Sequence, residues 1–401
     1  MGTYPRLDID LSASDLRSAL APAPDPSRYS ALKRDVEALW PGPRRALAAL
    51  SVRTSFDLYL QALQLPAGTD VLMSAVTIEN MAELVRRHGL RPVPVDLDLP
   101  TLAPGLPALE QAATPGTRIL LIAHLFGAVA DLKPALEFCR RRDVLLIEDC
   151  AQAYSGDLYR GHPGADLSLF SFGPIKRRTA LGGAVALVRD GATAGRMADL
   201  EAAYPPSGER AYLGRLLKYA AIKALSQPPV YGAVLKALAL AGRDPELFIG
   251  AAARSFGGGE LLPQMRRRPA RRCLRLLARR LRQGGDPARA DRARALLSRL
   301  DPEIPRPGSA APRHAHWLVP ILARDPEALC SALRAEGFDA TRGATRLRVV
   351  ESPGAALPNA RRLLGEVVYL PASAPVPDAE LSRLATLVNR FVALAPPGRP
   401  C

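Results

Sequence analysis

Short apolar runs alternate with helical patterns along the first half of the chain. The runs Val71–Val76, Arg118–Gly127 and Val144–Ile147 contain few polar residues, which is typical of strands that are buried on both faces. Patterns at Glu79–His88 and Asp131–Arg142 lie between them and predict helices. Strands and helices that alternate at this spacing favour βαβ units. The pattern therefore predicts an α/β fold with a mostly parallel sheet.

The two ends of the chain have different patterns. Residues 1–28 are rich in proline and small residues, and they predict an extended arm with at most one short helix. A strand–helix–strand pattern from Arg313 to Thr341, and a strand with a last helix from Val367 onward, predict a smaller α+β unit. We therefore expect an arm at 1–28, a large domain at 29–245 and a small C-terminal domain at 246–401.

The segment 199–245 departs from the alternating pattern. Within it, residues 211–242 form two apolar helical stretches with scattered lysine and arginine, divided by Pro228 and Pro229. Such helices can pack against the large domain or a second subunit, or they can lie on an anionic membrane as an interfacial pair. Both alternatives stay open, but the charges are too frequent for a transmembrane span.

Arginine dominates the charge of the chain, whose net charge is +15. The densest cluster is at 266–283, where Leu274, Leu277 and Leu281 would share one face of a helix. The basic face can be solvated, or it can bind the phosphates of a nucleotide or a lipid. We expect no nucleic acid as a partner, because no aromatic interleaving or nucleic-acid motif accompanies the arginines.

Cysteine spacing and the N-terminal residues bear on the cellular compartment. The five cysteines show no spacing typical of disulfides or metal sites, and reduced thiols are usual in the cytoplasm. The first residues lack the apolar run of a signal peptide. We therefore expect a cytoplasmic protein without a metal, with peripheral contact at the inner face of the membrane through 211–242 as an alternative.

The candidate chemistry lies between Val144 and Arg189. One buried strand ends on Glu148 and Asp149, and Lys176 follows the end of a second strand after a Gly-Pro turn. Both ends belong to the edge of a parallel sheet where ligands bind. A desolvated lysine can form a Schiff base with an aldehyde, and a buried carboxylate can keep a pyridinium nitrogen protonated. The alternative is an aspartate that caps a helix and a lysine on the surface.

The sequences IEDCAQAYSG, SFGPIK and LGGAV in this region resemble the central signature of the DegT/DnrJ/EryC1/StrS family. Members of that family are sugar aminotransferases that depend on pyridoxal 5'-phosphate, and the resemblance covers residues 45–190 and 313–395. It implies the fold type I architecture, with a sheet of the seven-stranded type flanked by helices. It also implies a homodimer with the cofactor near the subunit interface.

The resemblance assigns roles to four residues of the signature. Asp149 would pair with the pyridine nitrogen of the cofactor, and Gln152 would hydrogen-bond its ring hydroxyl. Ser171 would contact the phosphate, and Lys176 would bind the aldehyde. The family's dehydratase branch has a histidine in place of this lysine, so Lys176 favours transamination.

Other positions match the family only in part. Thr54 and Ser55 correspond to the family's phosphate-binding turn, but Val52 and Arg53 replace its Asn-Gly pair. Ile78 stands where the family has an aromatic residue that stacks on the cofactor ring, and an isoleucine can pack there without a π surface.

Two further family positions lie outside the signature. His124 is in the family's His-Leu-Tyr-Gly stretch, where we prefer a hydrogen-bonded core histidine to a catalyst. The family's asparagine that crosses the dimer interface has no counterpart in Ser255–Met265.

The resemblance therefore implies amino transfer from an amino acid, expected to be glutamate, to a keto-sugar linked to a nucleotide or a lipid. Surface polysaccharide or secondary-metabolite biosynthesis is the expected setting. The alternatives are another reaction type on the same cofactor, or a non-catalytic scaffold that binds a membrane or a partner protein.

Overall fold

Most strands of the large domain form one central sheet. The computed structural model describes residues 3–6, 8–154, 156, 159–243, 260–283, 287–372 and 376–394. Its strands are β1 (Arg45–Ala49), β2 (Asp70–Ser74), β3 (Val76–Ile78), β4 (Arg91–Val95), β5 (Thr117–Ala123), β6 (Ala128–Val129), β7 (Leu145–Asp149), β8 (Leu167–Ser171), β9 (Ala184–Val188), β10 (Arg313–His314), β11 (Val319–Leu322), β12 (Leu347–Val349) and β13 (Val367–Leu370). Seven of them form a sheet in the order β1-β9-β8-β7-β5-β2-β4. Only β9 runs antiparallel to its neighbours, which confirms the predicted mostly parallel sheet.

Helices cover both faces of this sheet. Those of the described residues are α1 (Ala13–Leu20), α2 (Tyr29–Glu37), α3 (Val52–Leu63), α4 (Glu79–Arg87), α5 (Leu106–Ala112), α6 (Lys133–Arg142), α7 (Gly191–Ala202), α8 (Glu209–Leu225), α9 (Pro228–Leu240), α10 (Leu261–Met265), α11 (Arg271–Arg282), α12 (Pro287–Arg299), α13 (Pro326–Ala335), α14 (Pro358–Glu366) and α15 (Asp378–Leu394). A 3₁₀ turn at Pro26–Arg28 precedes α2.

The uninterrupted apolar runs are explained by burial on both faces of the sheet. Along β5, Ile119 and Leu121 pack in the cluster that contains Phe56 of α3. The alternate residues Leu120 and Ile122 pack in the cluster that contains residues of α5 and α6. Because successive side chains of a strand point to opposite faces, a strand between two helical layers is apolar at every position.

The N-terminal arm packs against the arginine-rich helix α11. Asp15 of α1 is buried, and its carboxylate accepts hydrogen bonds from Arg279 Nε and Arg280 Nη1, each at 2.9 Å. Burial opposes ionisation of Asp15, but hydrogen bonds from Ser12, Gln283 and Arg279 outweigh it and hold the pKa of the carboxyl well below its usual range. The predicted arm contains one short helix, as expected, and it is clamped to the large domain.

This clamp accounts for part of the arginine cluster. Arg275 donates from Nη2 to the carbonyl oxygens of Ser18 and Ala21 at 3.0 and 2.9 Å, and from Nη1 to that of Pro22 at 2.8 Å. The helix therefore uses Arg275, Arg279 and Arg280 to hold the arm. The predicted apolar face is confirmed, since Leu274 and Leu277 are buried and Leu281 packs beside them.

The smaller unit has its own apolar core. β11 pairs with β13, and their residues pack with α13 and α15 in one cluster that begins at Ala293 of α12. Met265 and Leu274, by contrast, lie in clusters of the large domain. The predicted boundary at 245/246 lies outside the described residues, and this packing favours a division after α11.

The divergent segment forms two helices, as predicted. α8 buries Tyr212, Leu216 and Tyr219, and α9 buries Tyr231. Several large apolar side chains of the pair face solvent, namely Leu217, Leu225, Val230 and Leu240. Among the residues that the structure describes, no helix is both long and apolar enough to cross a membrane.

Candidate active site

A cavity of about 530 Å³ opens at the carboxyl ends of the central strands. Both Asp149, the last residue of β7, and Lys176, five residues beyond the end of β8, line it. The sheet edge where parallel strands end is the usual ligand site of such folds. The predicted convergence of these two residues is therefore present in the structure.

Asp149 provides an acid at the base of this cavity. Its side chain is buried, and Oδ1 accepts a hydrogen bond from the backbone N–H of Ala151 at 2.9 Å. Burial raises the pKa of the carboxyl, while the Ala151 N–H and the nearby charges of Lys176 and Arg53 oppose that rise. A cationic ring nitrogen next to this carboxylate would offset the cost of desolvation.

Lys176 provides an amine that is easily deprotonated. Desolvation lowers the pKa of the amine to about 8; Asp149 acts against this shift and Arg53 adds to it. A lysine with such a pKa holds a substantial unprotonated fraction near neutrality, and the unprotonated amine is the nucleophile. The interpretation of Lys176 as a solvated surface lysine is wrong, because the side chain is partly buried in the cavity.

Gln152 and Ser171 also lie in the wall, as the resemblance implies. Gln152 is nearly buried, and its Oε1 accepts a hydrogen bond from the backbone N–H of Phe126 at 2.8 Å. This bond leaves the amide nitrogen Nε2 as the donor that can face a ligand. Ser171 ends β8 and is partly exposed to the same space. Their individual cofactor contacts remain predictions.

The predicted phosphate turn reaches the cavity through different residues from those expected. Ser51 caps α3, and Ser51, Val52 and Arg53 line the cavity. Thr54 is buried behind them, where its hydroxyl donates to the carbonyl oxygen of Met265 at 2.8 Å. Ser55 is buried as well and is not part of the lining. The structure thus brings the start of the helix to the cavity, but not the two hydroxyls.

Arg53 adds positive charge at this helix start. Burial lowers the pKa of its guanidinium to about 10, and the nearby Arg346 adds to the shift. Its Nη1 donates to Oδ1 of Asn80 at 3.2 Å. A helix N-terminus with an arginine beside it is a suitable anion site.

Ile78 lines the cavity at the end of β3, as predicted, but an aromatic residue from elsewhere is also present. The indole ring of Trp317 lies against the amine of Lys176, with Nζ 3.9 Å from the ring centroid. Trp317 is a cavity residue that the sequence motifs do not predict. The motif RHAHW contains its signal, an aromatic residue at the entry to a small-domain strand, but the spacing says nothing about its partner.

His124 is a hydrogen-bonded core histidine, as preferred from the sequence. Its Nδ1 accepts from the N–H of Ala130, so Nε2 carries the proton and donates to Glu148 at 3.2 Å. Glu148 is fully buried on the opposite side of β7 from Asp149 and also accepts from Tyr159 and the N–H of His162. Among the described residues, His124, Glu148 and Cys150 form a cluster of side chains of the kinds that can bind a metal ion. The donors that surround Glu148 explain the cluster without a metal.

A second wall of the cavity comes from parts of the chain without a recognised motif. Its cationic side chains are Arg215 of α8, Arg267 after α10, and Arg346 before β12. Arg215 Nη1 donates to the carbonyl oxygen of Leu181 at 3.1 Å, close to the two glycines of LGGAV. Asp149 is the single acid of the lining among the described residues, so the cavity is strongly cationic.

The residues present fit pyridoxal phosphate. The amine of Lys176 suits its aldehyde, the Asp149 carboxylate suits its ring nitrogen, and the start of α3 with Arg53 suits its phosphate. The cavity volume of about 530 Å³ leaves room for a substrate beside it.

Comparisons with known proteins agree with this geometry. The chain is 36% identical over 171 residues to L-glutamine:2-deoxy-scyllo-inosose aminotransferase of Streptomyces kanamyceticus, covering 40% of each chain. It is 35% identical over 134 residues to GDP-perosamine synthase of Caulobacter vibrioides, covering 33% of this chain and 36% of the relative. The matched regions thus span about two fifths of the length of these curated relatives.

The fold extends beyond those regions. The crystal structure of the aminotransferase TlmJ from Streptoalloteichus hindustanus superposes with a TM-score of 0.70 at 19% identity, covering 98% of this chain and 99% of that one. This likeness shows the fold over nearly the whole chain.

The signature residues lie inside one matched family region. The model of the DegT/DnrJ/EryC1/StrS aminotransferase family matches residues 33–214, which include Asp149, Gln152, Ser171 and Lys176. The similarity of this region, the relatives that share it and the common fold lead to one conclusion: residues 33–214 of the chain match the DegT/DnrJ/EryC1/StrS aminotransferase family.

Proposed function

We propose that this protein is a pyridoxal-phosphate-dependent aminotransferase that moves an amino group from an amino acid to a keto-sugar. Glutamate is the proposed donor, and the acceptor is a keto-sugar linked to a nucleotide or a lipid in polysaccharide or secondary-metabolite biosynthesis. The observation that carries the proposal is the shared cavity of Lys176 and Asp149. The amine has the lowered pKa of a nucleophile, and the buried acid lies within range of its charge.

Lys176 and Asp149 would have separate roles in the reaction. When bound, pyridoxal phosphate supplies an electron sink for the charge that develops on the substrate carbon. Asp149 would keep a proton on the ring nitrogen through its buried carboxylate. Lys176 Nζ would hold the cofactor through its aldehyde carbon, and the same amine would carry the proton that amino transfer moves.

The rest of the cavity would position the reactants. Ser51, Arg53 and Ser171 would hold the phosphate end in place of the predicted hydroxyls of Thr54 and Ser55. The cationic second wall, with Arg215, faces the acceptor and attracts the phosphates of a linked sugar.

A spectral screen tests the proposal. Purified protein with added pyridoxal phosphate is expected to show a visible band that disappears on borohydride reduction and shifts when an amino donor is added. Donors and keto-sugars are then screened by that shift and by product formation. Lys176→Ala should abolish the band and turnover, while the matched control Lys218→Ala, an exposed lysine of α8, should retain both. Turnover in Lys176→Ala would rule the mechanism out.

We also propose that the protein acts as a homodimer in the cytoplasm. The family resemblance supports a dimer with the cofactor near the interface, and the described cysteines Cys139, Cys150, Cys273 and Cys330 are reduced, in keeping with that compartment. Light scattering on a size-exclusion column measures the mass directly. A monomer that turns over at full rate would contradict the dimer.

A second candidate property is peripheral membrane contact through residues 211–242. It is favoured by the exposed Leu217, Leu225, Val230 and Leu240, together with lysines on the same two helices. Flotation with anionic liposomes tests it. Binding that is lost in Leu217→Ser/Leu240→Ser is expected, and wild-type protein that stays at the bottom of the gradient contradicts it.

A further inference from the structure

The indole ring of Trp317 contacts the group that is proposed to react. Nζ of Lys176 lies 3.9 Å from the ring centroid, and Trp317 is buried. An ammonium over the face of an indole is attracted by the ring quadrupole, and the attraction is stronger where water is excluded. The contact is therefore a direct interaction with the amine, separate from the signature residues.

Two hydrogen bonds fix this ring relative to the backbone on either side of the lysine. Trp317 Nε1 donates to the carbonyl oxygen of Ile175 at 2.9 Å, and Arg177 Nη2 donates to that of His316 at 3.0 Å. His316 has a φ of 47°, a left-handed conformation that costs a non-glycine residue about 1 kcal/mol. The surrounding contacts maintain this turn, which leads directly into Trp317.

The segment that carries Trp317 is also anchored to the turn that follows β5. Ala315 N donates to the carbonyl oxygen of Gly127 at 2.7 Å, and Leu318 N donates to that of Phe126 at 3.1 Å. A Cβ at Gly127, where φ is 101°, would lie 2.6 Å from Trp317 N, so glycine is required there. Phe126 N in turn donates to Gln152 of the cavity wall. The backbone on either side of Trp317 is thus held in place, as well as its ring.

We propose that Trp317 is a positioning residue for Lys176: its indole face holds the amine against the cavity wall, stabilises its charged form and supplies an aromatic surface that Ile78 lacks. The charged groups near the amine are Asp149 from β7, which also favours the charged form, and Arg53 from α3, which opposes it. The chemical purpose of this arrangement rests on the proposed function, but the contact between ring and amine does not.

The proposal predicts how the amine responds when the ring is removed. Replacing Trp317 by leucine keeps an apolar side chain but removes the π face, so the charged amine loses its attraction. The midpoint of Lys176 deprotonation should then fall from about 8 by roughly half a unit to one unit. Trp317→Phe keeps a weaker aromatic face, so its midpoint of Lys176 deprotonation should fall by about half as much.

Amine labelling of the cofactor-free, full-length protein measures this midpoint. The chain is pulse-labelled with acetic anhydride across a pH series, and the Lys176 peptide is quantified by mass spectrometry. Trp40→Phe is the matched control, because it alters the other tryptophan of the chain, which packs against Phe170 and is not part of the cavity lining. Its midpoint should equal that of the wild type.

The outcomes separate this proposal from the function. A downward shift in Trp317→Leu, with no shift in Trp40→Phe, supports Trp317 even if no pyridoxal phosphate is captured. An unchanged or raised midpoint overturns it, even if the wild type proves to be an aminotransferase. If the leucine variant does not fold, as judged by circular dichroism, the phenylalanine variant decides by the same criterion.

Discussion

The two walls of the cavity differ in how the chain builds them. One wall comes from a short stretch, in which Asp149, Gln152, Ser171 and Lys176 follow the ends of neighbouring parallel strands. The other is assembled from α8, the residues around α10 and α11, and the small domain. The first wall carries the groups needed for bond making, and the second carries cations and an indole ring. Under the proposed function, chemistry and selectivity would be encoded in separate parts of the sequence.

The largest effect is expected from a change in the first wall. Asp149→Asn keeps the size of the side chain but removes the charge that holds the ring proton. We expect turnover to fall on the order of 10²–10⁴-fold, measured as kcat in the transamination assay. Circular dichroism checks that the fold is retained. A variant with wild-type kcat would show that the acid has no part in the chemistry.

Breaking the clamp that supports the second wall should reduce stability instead. Asp15→Ala removes the buried carboxylate that Arg279 and Arg280 share, although Arg280 keeps its ion pair with Asp10, and we expect a loss of about 2–4 kcal/mol in the free energy of unfolding by urea. Arg282→Ala, an exposed arginine on the same helix, is the control and should change it by less than about 0.5 kcal/mol. Equal effects of the two variants would contradict the clamp.

Lys176 should lower the stability of the folded, cofactor-free protein. Its folded pKa of about 8 lies below that of an unfolded lysine, about 10.4, so the unfolded chain binds more protons between these values. Stability of the wild type should therefore rise with pH across this window. Lys176→Met removes the penalty and should be more stable by roughly 1–3 kcal/mol at pH 7, with the difference vanishing above about pH 10.4. Thermal unfolding at several pH values measures both effects.

A change in the cationic wall should affect binding more than chemistry. Arg215→Ala removes a guanidinium that faces the cavity and bonds the turn at Leu181. We expect the KM for a phosphate-bearing acceptor to rise about tenfold, with kcat within about threefold of the wild type. If kcat falls by a larger factor than KM rises, Arg215 takes part in the chemical step. That result would contradict the division of roles between the two walls.

The smallest expected effect concerns the start of α3. Ser51→Ala removes the helix cap and a hydroxyl at the cavity, so it should weaken pyridoxal phosphate binding and cost about 1 kcal/mol of stability. Ser55→Ala alters a hydroxyl away from the lining and should leave the affinity unchanged. Equilibrium dialysis of the cofactor compares the two. Weaker binding in Ser55→Ala alone would restore the original assignment of the phosphate turn.

The sequence predicts features that depend on local order. β5 is buried on both faces, so its apolar run predicts a buried strand. The motifs around Asp149 and Lys176 predict that both residues lie near strand ends. The position of Thr54 shows the limit of this reasoning. Matching hydroxyls alone could not reveal that Ser51 is the cap and that Thr54 turns inward to Met265.

Features that depend on contacts distant in sequence could not be predicted in this way. Trp317 meets Ile175 across 142 residues, and Asp15 meets Arg280 across 265. An arginine-rich helix has the same pattern whether its partner is water, a phosphate or the arm of its own chain. Only the fold shows which acceptors lie within reach.

The central claim is that the Lys176 amine binds the cofactor aldehyde beside Asp149. The most direct test is to incubate the protein with pyridoxal phosphate, reduce with borohydride, digest and locate the added pyridoxyl group by mass spectrometry. The account predicts that the group is found on Lys176. A modified lysine elsewhere, or an active enzyme with no modified lysine, would contradict it.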